Sequence, residues 1–517
     1  MSDKTSKTGA AVQQAGLAAA VFGAVALTVV IVAVGKTVFG WSTLIIVGVF
    51  CVIAGVAGFA AWVTYPRWGA SQADRKLRDT SKLTDVMGGG AVAKGADLRG
   101  LSEEERRTAK ATSVAVTIGS VKGKPVYKTL EDFTLIIMGP RSNKTSSQAV
   151  PRILSALGSV VATSNKPDLW ILTAGLRRRL GPVYGFDPGN IAFVEQTFWW
   201  NILAQVTDFR SAKRLATHFM ASAGKNNSES GNSGFFASES TYMLARTMLA
   251  AALTPGRTMR DVIAWVDTSS REPIALLRAA GRERFASALQ AQLDGATETL
   301  AGVRSGASGA LECLQDEEVL RWVTPPESWE EAPDREIEEL DLWSLYMPTP
   351  GNVPSLYLMS EEGAESAGPV VAAMVDTLFK LSKQASSAAG GRCDPPPSFV
   401  LDEAANICRI EDLPAQASHL GSRGVLVDVI LQSYQQGMGV WGRERMGAMW
   451  GASTCRIVGA GLQEISDARM ISDLIGTHEV WKKSYSYGSG PSGKTMSRSL
   501  VREPIMPPEE VAALDRD

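Results

Sequence analysis

Two long apolar stretches lie near the start of the chain. Residues 15–34 and 44–63 contain no charged side chain. At about 1.5 Å rise per residue, each stretch is long enough to cross the roughly 30 Å hydrocarbon layer of a membrane as a helix. The short connection between them contains Lys36. The pattern predicts a transmembrane hairpin within residues 1–70, followed by a juxtamembrane linker from residue 71.

Basic residues favour one orientation of this hairpin. Lys4 and Lys7 precede the first span, and five basic residues follow the second, namely Arg67, Arg75, Lys76, Arg78 and Lys82. Because cytoplasmic flanks of membrane spans are enriched in Lys and Arg, we expect a multi-pass protein of the inner (cytoplasmic) membrane with both termini in the cytoplasm. The alternative is a cleaved signal peptide followed by one anchor, although the first stretch is longer than a usual signal-peptide core.

From residue 133 onward, short apolar runs alternate with helical stretches. The runs are continuous rather than alternating, which is typical of parallel strands that are buried on both faces. Strands that alternate with helices predict a doubly wound α/β sheet. The predicted strands are residues 133–138, 159–163, 182–186, 355–359, 398–401, 425–431 and 456–458.

Between residues 207 and 330 the strand signals vanish and helical periodicity dominates. This segment therefore predicts an all-α insertion that divides the α/β domain into residues 71–206 and 331–517. Its predicted helices are residues 243–253, 259–266, 273–280, 283–293 and 297–314.

Composition excludes several classes of chemistry. The net charge is −2, so no global attraction to nucleic acid is expected, and any DNA contact must come from local basic patches. The five cysteines form no CxxC pair, which argues against a disulfide framework or a zinc site. With only three histidines in the chain, metal sites or catalytic triads built on histidine are not expected.

The strand at 133–138 leads into the arrangement of a phosphate-binding loop: a buried strand, a tight turn, Lys-Thr and a helix. Such a loop needs backbone amides at a helix N-terminus, Lys144 to reach the outer phosphates and Thr145 to hold Mg²⁺. Asn143 and Met138 replace the two glycines of the usual pattern, although Asn tolerates positive φ. The alternative is an ordinary strand-turn-helix capped by a serine. The candidate nucleotide-binding residues are Gly139, Pro140, Arg141, Ser142, Asn143, Lys144, Thr145 and Ser146.

Two further strands end in candidate catalytic residues. Asp402 and Glu403 follow strand 398–401, where the first can orient Mg²⁺ and the second can polarise an attacking water. Gln432, at the tip of strand 425–431, can sense the γ-phosphate or cap the next helix. Arg423, before that strand, is a candidate arginine finger that acts across a subunit boundary.

A basic run at residues 177–179 is the remaining charged motif. All three residues are arginines on a predicted helix. A solvated helix face is favoured over contact with DNA or a partner.

Together with these motifs, the chain resembles the type IV coupling proteins of conjugative DNA transfer, particularly actinobacterial forms. The resemblance covers almost the whole chain, including the predicted hairpin anchor. The segments that carry it beyond the nucleotide motifs are residues 161–168, 173–174, 181–188, 200–203, 401–406, 421–424 and 431–433.

The resemblance implies a RecA-type P-loop ATPase core with the all-α domain at the helical insertion, assembled as a homo-hexameric ring at the membrane. The implied role is to receive a relaxase–DNA complex and to drive single-stranded DNA toward the components of a type IV secretion channel. ATP and Mg²⁺ are the implied cofactors. In this family Lys144 and Thr145 would contact nucleotide and Mg²⁺, Asp402 would hold Mg²⁺ and Glu403 would activate water.

Two other functions remain open from the sequence. A septal-type double-stranded DNA translocase shares the anchor and the motor, but it would normally carry a C-terminal winged helix. A membrane receptor or scaffold whose phosphate loop has degenerated would bind partners without hydrolysing ATP.

Overall fold

The computed structural model describes residues 115–121, 124–223, 233–331, 333–363, 366–462, 464–487 and 494–514. The predicted hairpin anchor and its linker lie outside these ranges. Among the helices of the described ranges, none has the length and apolar character needed to cross a membrane.

A parallel sheet forms the centre of the fold. The strands are β1 Ala115–Val121, β2 Lys124–Thr129, β3 Thr134–Ile137, β4 Val160–Ser164, β5 Val183–Phe186, β6 Phe198–Trp199, β7 Glu338–Glu339, β8 Ser355–Met359, β9 Ser398–Leu401, β10 Leu426–Leu431, β11 Cys455–Val458, β12 Thr477–Tyr487 and β13 Lys494–Pro504. Seven of them form one sheet in the order β11-β3-β10-β9-β4-β8-β5. Every neighbouring pair in it is parallel. All seven strands overlap the seven predicted ones, which confirms the parallel α/β sheet.

Burial explains why these strands could be predicted from the sequence. β3, β4, β8, β9 and β10 are buried at every position, so each reads as a continuous run with few polar residues. Helices cover both faces of such a sheet, and its side chains pack against them.

The helices divide between the sheet and the insertion. In chain order they are α1 Val150–Leu154, α2 Asp168–Arg177, α3 Phe209–Ala223, α4 Ser233–Ala252, α5 Met259–Thr268, α6 Glu272–Ala279, α7 Glu283–Leu293, α8 Thr297–Ala310, α9 Glu317–Leu320, α10 Gly368–Ala388, α11 Ala404–Ile407, α12 Leu413–Leu420, α13 Tyr434–Ala452, α14 Ile465–Ile475 and α15 Pro508–Ala512. A π-helical turn, Thr145–Ala149, precedes α1. Short 3₁₀ turns lie at Glu312–Leu314, Pro326–Ser328, Leu342–Leu345 and Gly421–Arg423.

The insertion is helical from α3 to α9, as its periodicity predicts. Local chemistry sets its boundaries, and the start of α5 is an example. The Thr258 side chain accepts a hydrogen bond from the Arg260 N–H at 3.2 Å, and the Asp261 carboxylate accepts one from the Thr258 N–H at 2.8 Å. This reciprocal capping box satisfies N–H groups that have no partner inside the helix.

A buried acid joins the insertion to the sheet-packing helices. Asp376 on α10 accepts a hydrogen bond from Gln416 on α12 at 2.9 Å, lies 3.0 Å from the His218 ring on α3, and pairs with Arg214 at 3.0 Å. Burial opposes ionisation of Asp376, but the His218 hydrogen bond and the Arg214 guanidinium hold the pKa of this carboxyl below its usual value. His218 therefore links the helical insertion to a helix that packs on the sheet.

A second buried acid lies inside the central sheet. Asp428 is in β10, where the other residues are apolar. Lys128, from β2, donates to Asp428 at 2.6 Å and to Thr134 of β3 at 2.5 Å. Arg152, on the helix that follows the phosphate loop, donates to Asp428 at 3.0 Å. Burial works against the charge, yet the two cations hold the pKa of Asp428 below its usual value. The cluster fixes the β1–β2 hairpin against the sheet.

Two antiparallel hairpins were not predicted. β1 pairs with β2, and β12 pairs with β13 in a continuous register from Thr477↔Pro504 to Tyr487↔Lys494. Polar residues interrupt all four of these strands, so a search for continuous apolar runs misses them.

Candidate functional site

The carboxyl ends of three neighbouring strands form the site. β10 lies between β3 and β9, and all three run in the same direction. The phosphate loop leaves β3, Asp402 and Glu403 follow β9, and Gln432 follows β10. Parallel strands bring these segments to one edge of the sheet, which is where ligands bind in open α/β folds.

Backbone packing explains the displaced glycine of the loop. The Met138 N–H donates to the Leu431 carbonyl at 3.0 Å, and the Gly139 N–H donates to the Ala460 carbonyl at 3.0 Å. A Cβ atom at position 139 would lie 1.7 Å from the Gly461 carbonyl oxygen, so only glycine fits there. Met138 directly follows β3 and still bonds to the backbone of β10, so the tight turn starts one residue later than the usual pattern places it.

The loop then takes the conformation that a phosphate cradle requires. Arg141 and Asn143 have φ values of 57° and 60°, in the left-handed region. The buried Ser142 hydroxyl donates to the Gly139 carbonyl at 2.6 Å and closes the turn. Left-handed residues in a tight turn direct successive N–H groups to one concave side, which attracts anions. Asn143 thus adopts the backbone geometry for which the usual pattern has glycine.

The start of the helix follows directly from this turn. The Ser147 N–H donates to the Asn143 carbonyl at 2.8 Å, and the Ser146 hydroxyl donates to the same carbonyl at 3.2 Å. Thr145 is the first residue of the π-helical turn. Pro140 is exposed on the outside of the loop. The helix N-terminus therefore directs its free N–H groups and the positive end of its dipole toward the cradle.

The structure brings the lysine, both acids and the glutamine together. Lys144 donates to one oxygen of Glu403 and lies 3.9 Å from Asp402. Gln432 donates to both oxygens of Glu403 at 3.0 Å. These four side chains lie in the segments that follow three strands, and they are separated by up to about 290 positions in sequence.

Both acids are buried, and their environments differ. Asp402 and Glu403 are each 3% exposed. The Asp402 carboxylate accepts the Glu403 N–H at 3.1 Å, and its carbonyl accepts the Thr163 hydroxyl at 2.8 Å. Burial, opposed by the Lys144 ammonium and reinforced by the Glu403 charge, raises the pKa of Asp402 to about 6. A divalent cation beside Asp402 would favour its ionised form.

The residues present fit a nucleotide with Mg²⁺. Within the described residues there is no group of three or more His, Cys, Asp or Glu side chains that could hold a metal alone. Mg²⁺ does not require one, because it is usually held by one or two protein oxygens together with phosphates and water. Asp402 is the carboxylate closest to Lys144 after Glu403 and would supply such an oxygen. Thr145 lies at the start of the adjoining helix.

Arg423 and the basic run at residues 177–179 are not part of this constellation. Arg423 precedes β10 and so lies at the opposite edge of the sheet, where it donates to the Ser382 hydroxyl at 3.4 Å. A role for Arg423 across a subunit boundary stays a prediction. In the basic run at residues 177–179, Arg178 and Arg179 are exposed, as the predicted solvated face requires. Arg177 differs, because it is 1% exposed and donates to Ser355 at 2.8 Å and to the Gly158 carbonyl at 2.9 Å. Arg178 lies over the Trp170 ring at 5.1 Å.

Sequence reasoning missed the residues that surround Glu403. Asn406 donates to Glu403 at 3.3 Å, and Gln436 donates to Asn406 at 3.0 Å. Asn406 follows Glu403 by three residues, and Gln436 follows Gln432 by four. This spacing of about one helical turn is the one sequence signal that could have indicated the two residues.

The parallel sheet and the loop between β3 and its helix define a P-loop α/β protein. Two family models match the chain. The model for the type IV secretory system conjugative DNA transfer proteins matches residues 91–326, and the model for the TraM recognition site of TraD and TraG matches residues 396–516. Together they span more than half of the chain, which belongs to the type IV coupling proteins of conjugative DNA transfer.

Solved structures support the fold assignment. The unbound bacterial conjugative coupling protein TrwBdeltaN70 is similar with a TM-score of 0.54 at 16% identity, over 80% of this chain and 87% of that one. TrwB in complex with the ATP analogue ADPNP matches with a TM-score of 0.54 at 16% identity, over 81% and 88%. TrwB with ADP and Mg²⁺ matches with a TM-score of 0.53 at 16% identity, over 81% and 89%. A comparison with curated proteins gave no match.

Proposed function

We propose that this chain is a membrane-anchored coupling ATPase. It recruits relaxase-bound single-stranded DNA and delivers it to a type IV secretion channel, as a homo-hexamer in the cytoplasmic membrane with both termini in the cytoplasm. The observation that carries the ATPase part is the convergence of Lys144, Asp402, Glu403 and Gln432 beside a phosphate loop. The anchor rests on the two apolar stretches of residues 15–34 and 44–63.

The cofactors of this reaction are ATP and Mg²⁺. Complexes of the similar TrwB with ADPNP and with ADP and Mg²⁺ support this assignment. The loop amides and Lys144 bind the phosphates, while Thr145 and Asp402 hold Mg²⁺. Mg²⁺ held there would offset the negative charge that develops on the phosphate oxygens during phosphoryl transfer.

The contacts of Lys144 suggest how binding prepares the site. Its ammonium pairs with the buried Glu403 carboxylate. The phosphates of ATP carry more negative charge than one carboxylate and draw the ammonium away, since a buried cation remains where its charge is best compensated. Glu403 then loses its cationic partner and can accept a proton from water, while Gln432 can turn toward the γ-phosphate.

Hydrolysis of ATP by the full-length protein tests this proposal. Glu403→Gln keeps the size and polarity of the side chain but removes the base, so we expect it to bind ATP and to lose turnover by about 10²- to 10⁴-fold. Glu444→Gln, at an exposed position of α13, is the matched control and should hydrolyse ATP normally. Equal turnover in wild type and Glu403→Gln would contradict the role of Glu403.

The DNA that stimulates turnover separates the coupling function from its rivals. Single-stranded DNA should stimulate hydrolysis more than duplex DNA of the same length. Stronger stimulation by duplex DNA would favour a septal-type translocase. A wild-type protein that does not bind ATP would favour a non-hydrolysing membrane receptor.

A further inference from the structure

A chain of side-chain amides runs along the same edge of the sheet and ends at Glu403. We propose that Asn406 and Gln436 are positioning residues that hold the Glu403 carboxylate by one oxygen, so that the other oxygen is open to the attacking water. The inference rests on the proposed function, because it assigns roles within the same hydrolytic site.

The two oxygens of Glu403 have different partners. Oε1 accepts from Lys144 and from Gln432, and Oε2 accepts from Gln432 and from Asn406. Two of these donors, Lys144 and Gln432, are the side chains that the phosphates of ATP recruit. Asn406 is the donor that remains when they leave. Oε2 then stays held, and Oε1 becomes free to accept a proton.

The orientation of the Asn406 amide is fixed by its neighbours. Its Oδ1 accepts from Gln436 at 3.0 Å, while its Nδ2 donates to Glu362 at 2.6 Å and to Glu403 at 3.3 Å. A flipped amide would place Oδ1 against two carboxylates and Nδ2 against another donor, which is unfavourable on every side. Glu362 is itself held by Asn165 at 2.7 Å. The Asn406 donor therefore points to Glu403 in a single arrangement.

Gln436 links this arrangement to the backbone of β10. Its Oε1 accepts the Gln432 N–H at 2.9 Å, at the point where the strand ends. The Gln436 N–H is in turn capped by the Ser433 hydroxyl at 3.0 Å. The link uses the main chain of Gln432 and not its side chain, so it persists while the Gln432 side chain turns toward the γ-phosphate.

Local backbone geometry brings Asn406 back to the carboxylate. Glu403 has φ 53°, a left-handed conformation that is uncommon for a side chain of this size. The Glu403 carbonyl accepts the Asn406 N–H at 2.8 Å and starts the short helix α11. This turn places Asn406 three residues on, beside the carboxylate. Unusual backbone conformations of this kind persist where the surrounding contacts hold them.

Steady-state ATP hydrolysis by the full-length protein tests the inference, with ATP affinity measured separately. Asn406→Ala and Gln436→Ala should lower kcat by about 10- to 100-fold, a smaller loss than in Glu403→Gln, because the base is present but misoriented. ATP affinity should remain that of wild type, because neither side chain belongs to the phosphate loop. Gln435→Ala is the matched control, since Gln435 is the preceding residue on the same helix and donates to Ser466 at 3.2 Å instead.

An isosteric substitution adds a readout that a purely structural role would not change. Asn406→Asp keeps the shape of the side chain but places oxygens toward Glu403 and Glu362, so we expect a larger loss of kcat than in Asn406→Ala. Adding Glu362→Gln removes one of the two repelling carboxylates and should restore part of kcat.

The possible outcomes separate this inference from the proposed function. Wild-type kcat in Asn406→Ala and Gln436→Ala, together with an inactive Glu403→Gln, would overturn the inference alone. A parallel fall of kcat, ATP affinity and thermal midpoint would also overturn it, because the residues would then be structural. A wild-type protein without ATP hydrolysis would overturn both the proposed function and the inference.

Discussion

Substitution of Asp428 is expected to be among the most destabilising single changes in the sheet. Its carboxylate is 3% exposed, and the described ion pairs of this cluster join it to two cations, Lys128 and Arg152, which are 3% and 4% exposed. Asp428→Asn leaves both cations buried without a counter-charge. Lys128→Met leaves one cation and one carboxylate, which is a balanced pair.

The magnitude follows from this charge balance. Removing one partner from a buried ion pair typically costs about 3–5 kcal/mol, because the remaining charge is uncompensated. We therefore expect Asp428→Asn to lower the free energy of unfolding by about 3–5 kcal/mol at pH 7. Lys128→Met should cost less, roughly 1–3 kcal/mol, which corresponds to the lost hydrogen bonds to Asp428 and Thr134.

Chemical denaturation followed by tryptophan fluorescence measures both variants, and pH adds a second test. The folded-state pKa of Asp428 lies below its unfolded-state value, so its contribution is present above the unfolded pKa of about 3.9. That contribution is lost as pH falls through the folded pKa. The stability gap between wild type and Asp428→Asn should therefore narrow in acid. A larger cost for Lys128→Met than for Asp428→Asn, or a gap that widens in acid, would refute the reasoning.

Three substitutions at two positions of the phosphate loop test its backbone geometry. Gly139→Ala places a Cβ 1.7 Å from the Gly461 carbonyl oxygen, so equilibrium dialysis should show ATP affinity at least about tenfold lower. Gly439→Ala, on α13, is the control and should leave ATP affinity unchanged, because a Cβ at that position meets no atom within 4 Å. Asn143→Gly should retain or increase ATP affinity, because glycine takes the observed φ of 60° without strain. Asn143→Val should lose affinity in the same assay, because a β-branched residue is strongly disfavoured at that φ. Equal affinity in the glycine and valine variants would show that the loop conformation does not control binding.

The central sheet could be predicted because burial on both faces leaves a direct trace in the sequence. Leu135 and Ile136 are fully buried, and three of the four residues of their strand, β3, are apolar. The helix predicted at residues 283–293 coincides with α7, Glu283–Leu293, because its apolar residues recur at helical spacing. Elements whose structure follows from their own residue pattern could therefore be predicted, whereas the polar hairpin strands could not.

Contacts between distant parts of the chain could not be read in the same way. Asp428 and Lys128 are 300 residues apart, and an acid inside an apolar strand gives no indication of its partner. Arg177 is a second example. Three consecutive arginines predict a solvated helix face, yet the side chain of Arg177 is buried. The paired acids and the lysine could be predicted as candidates, since each follows a strand, but the amides of Asn406 and Gln436 acquire their role only through the fold.

Calorimetric titration of the full-length protein with ATP and Mg²⁺ is the most direct test of the nucleotide site. Lys144 is the cation that the proposed function assigns to the phosphates, so wild type should bind and Lys144→Ala should bind at least about tenfold more weakly. Lys383→Ala, at an exposed position of α10, should bind as wild type does. Equal affinity in wild type and Lys144→Ala, or no binding in either, would contradict the assignment of this edge of the sheet as an ATP site.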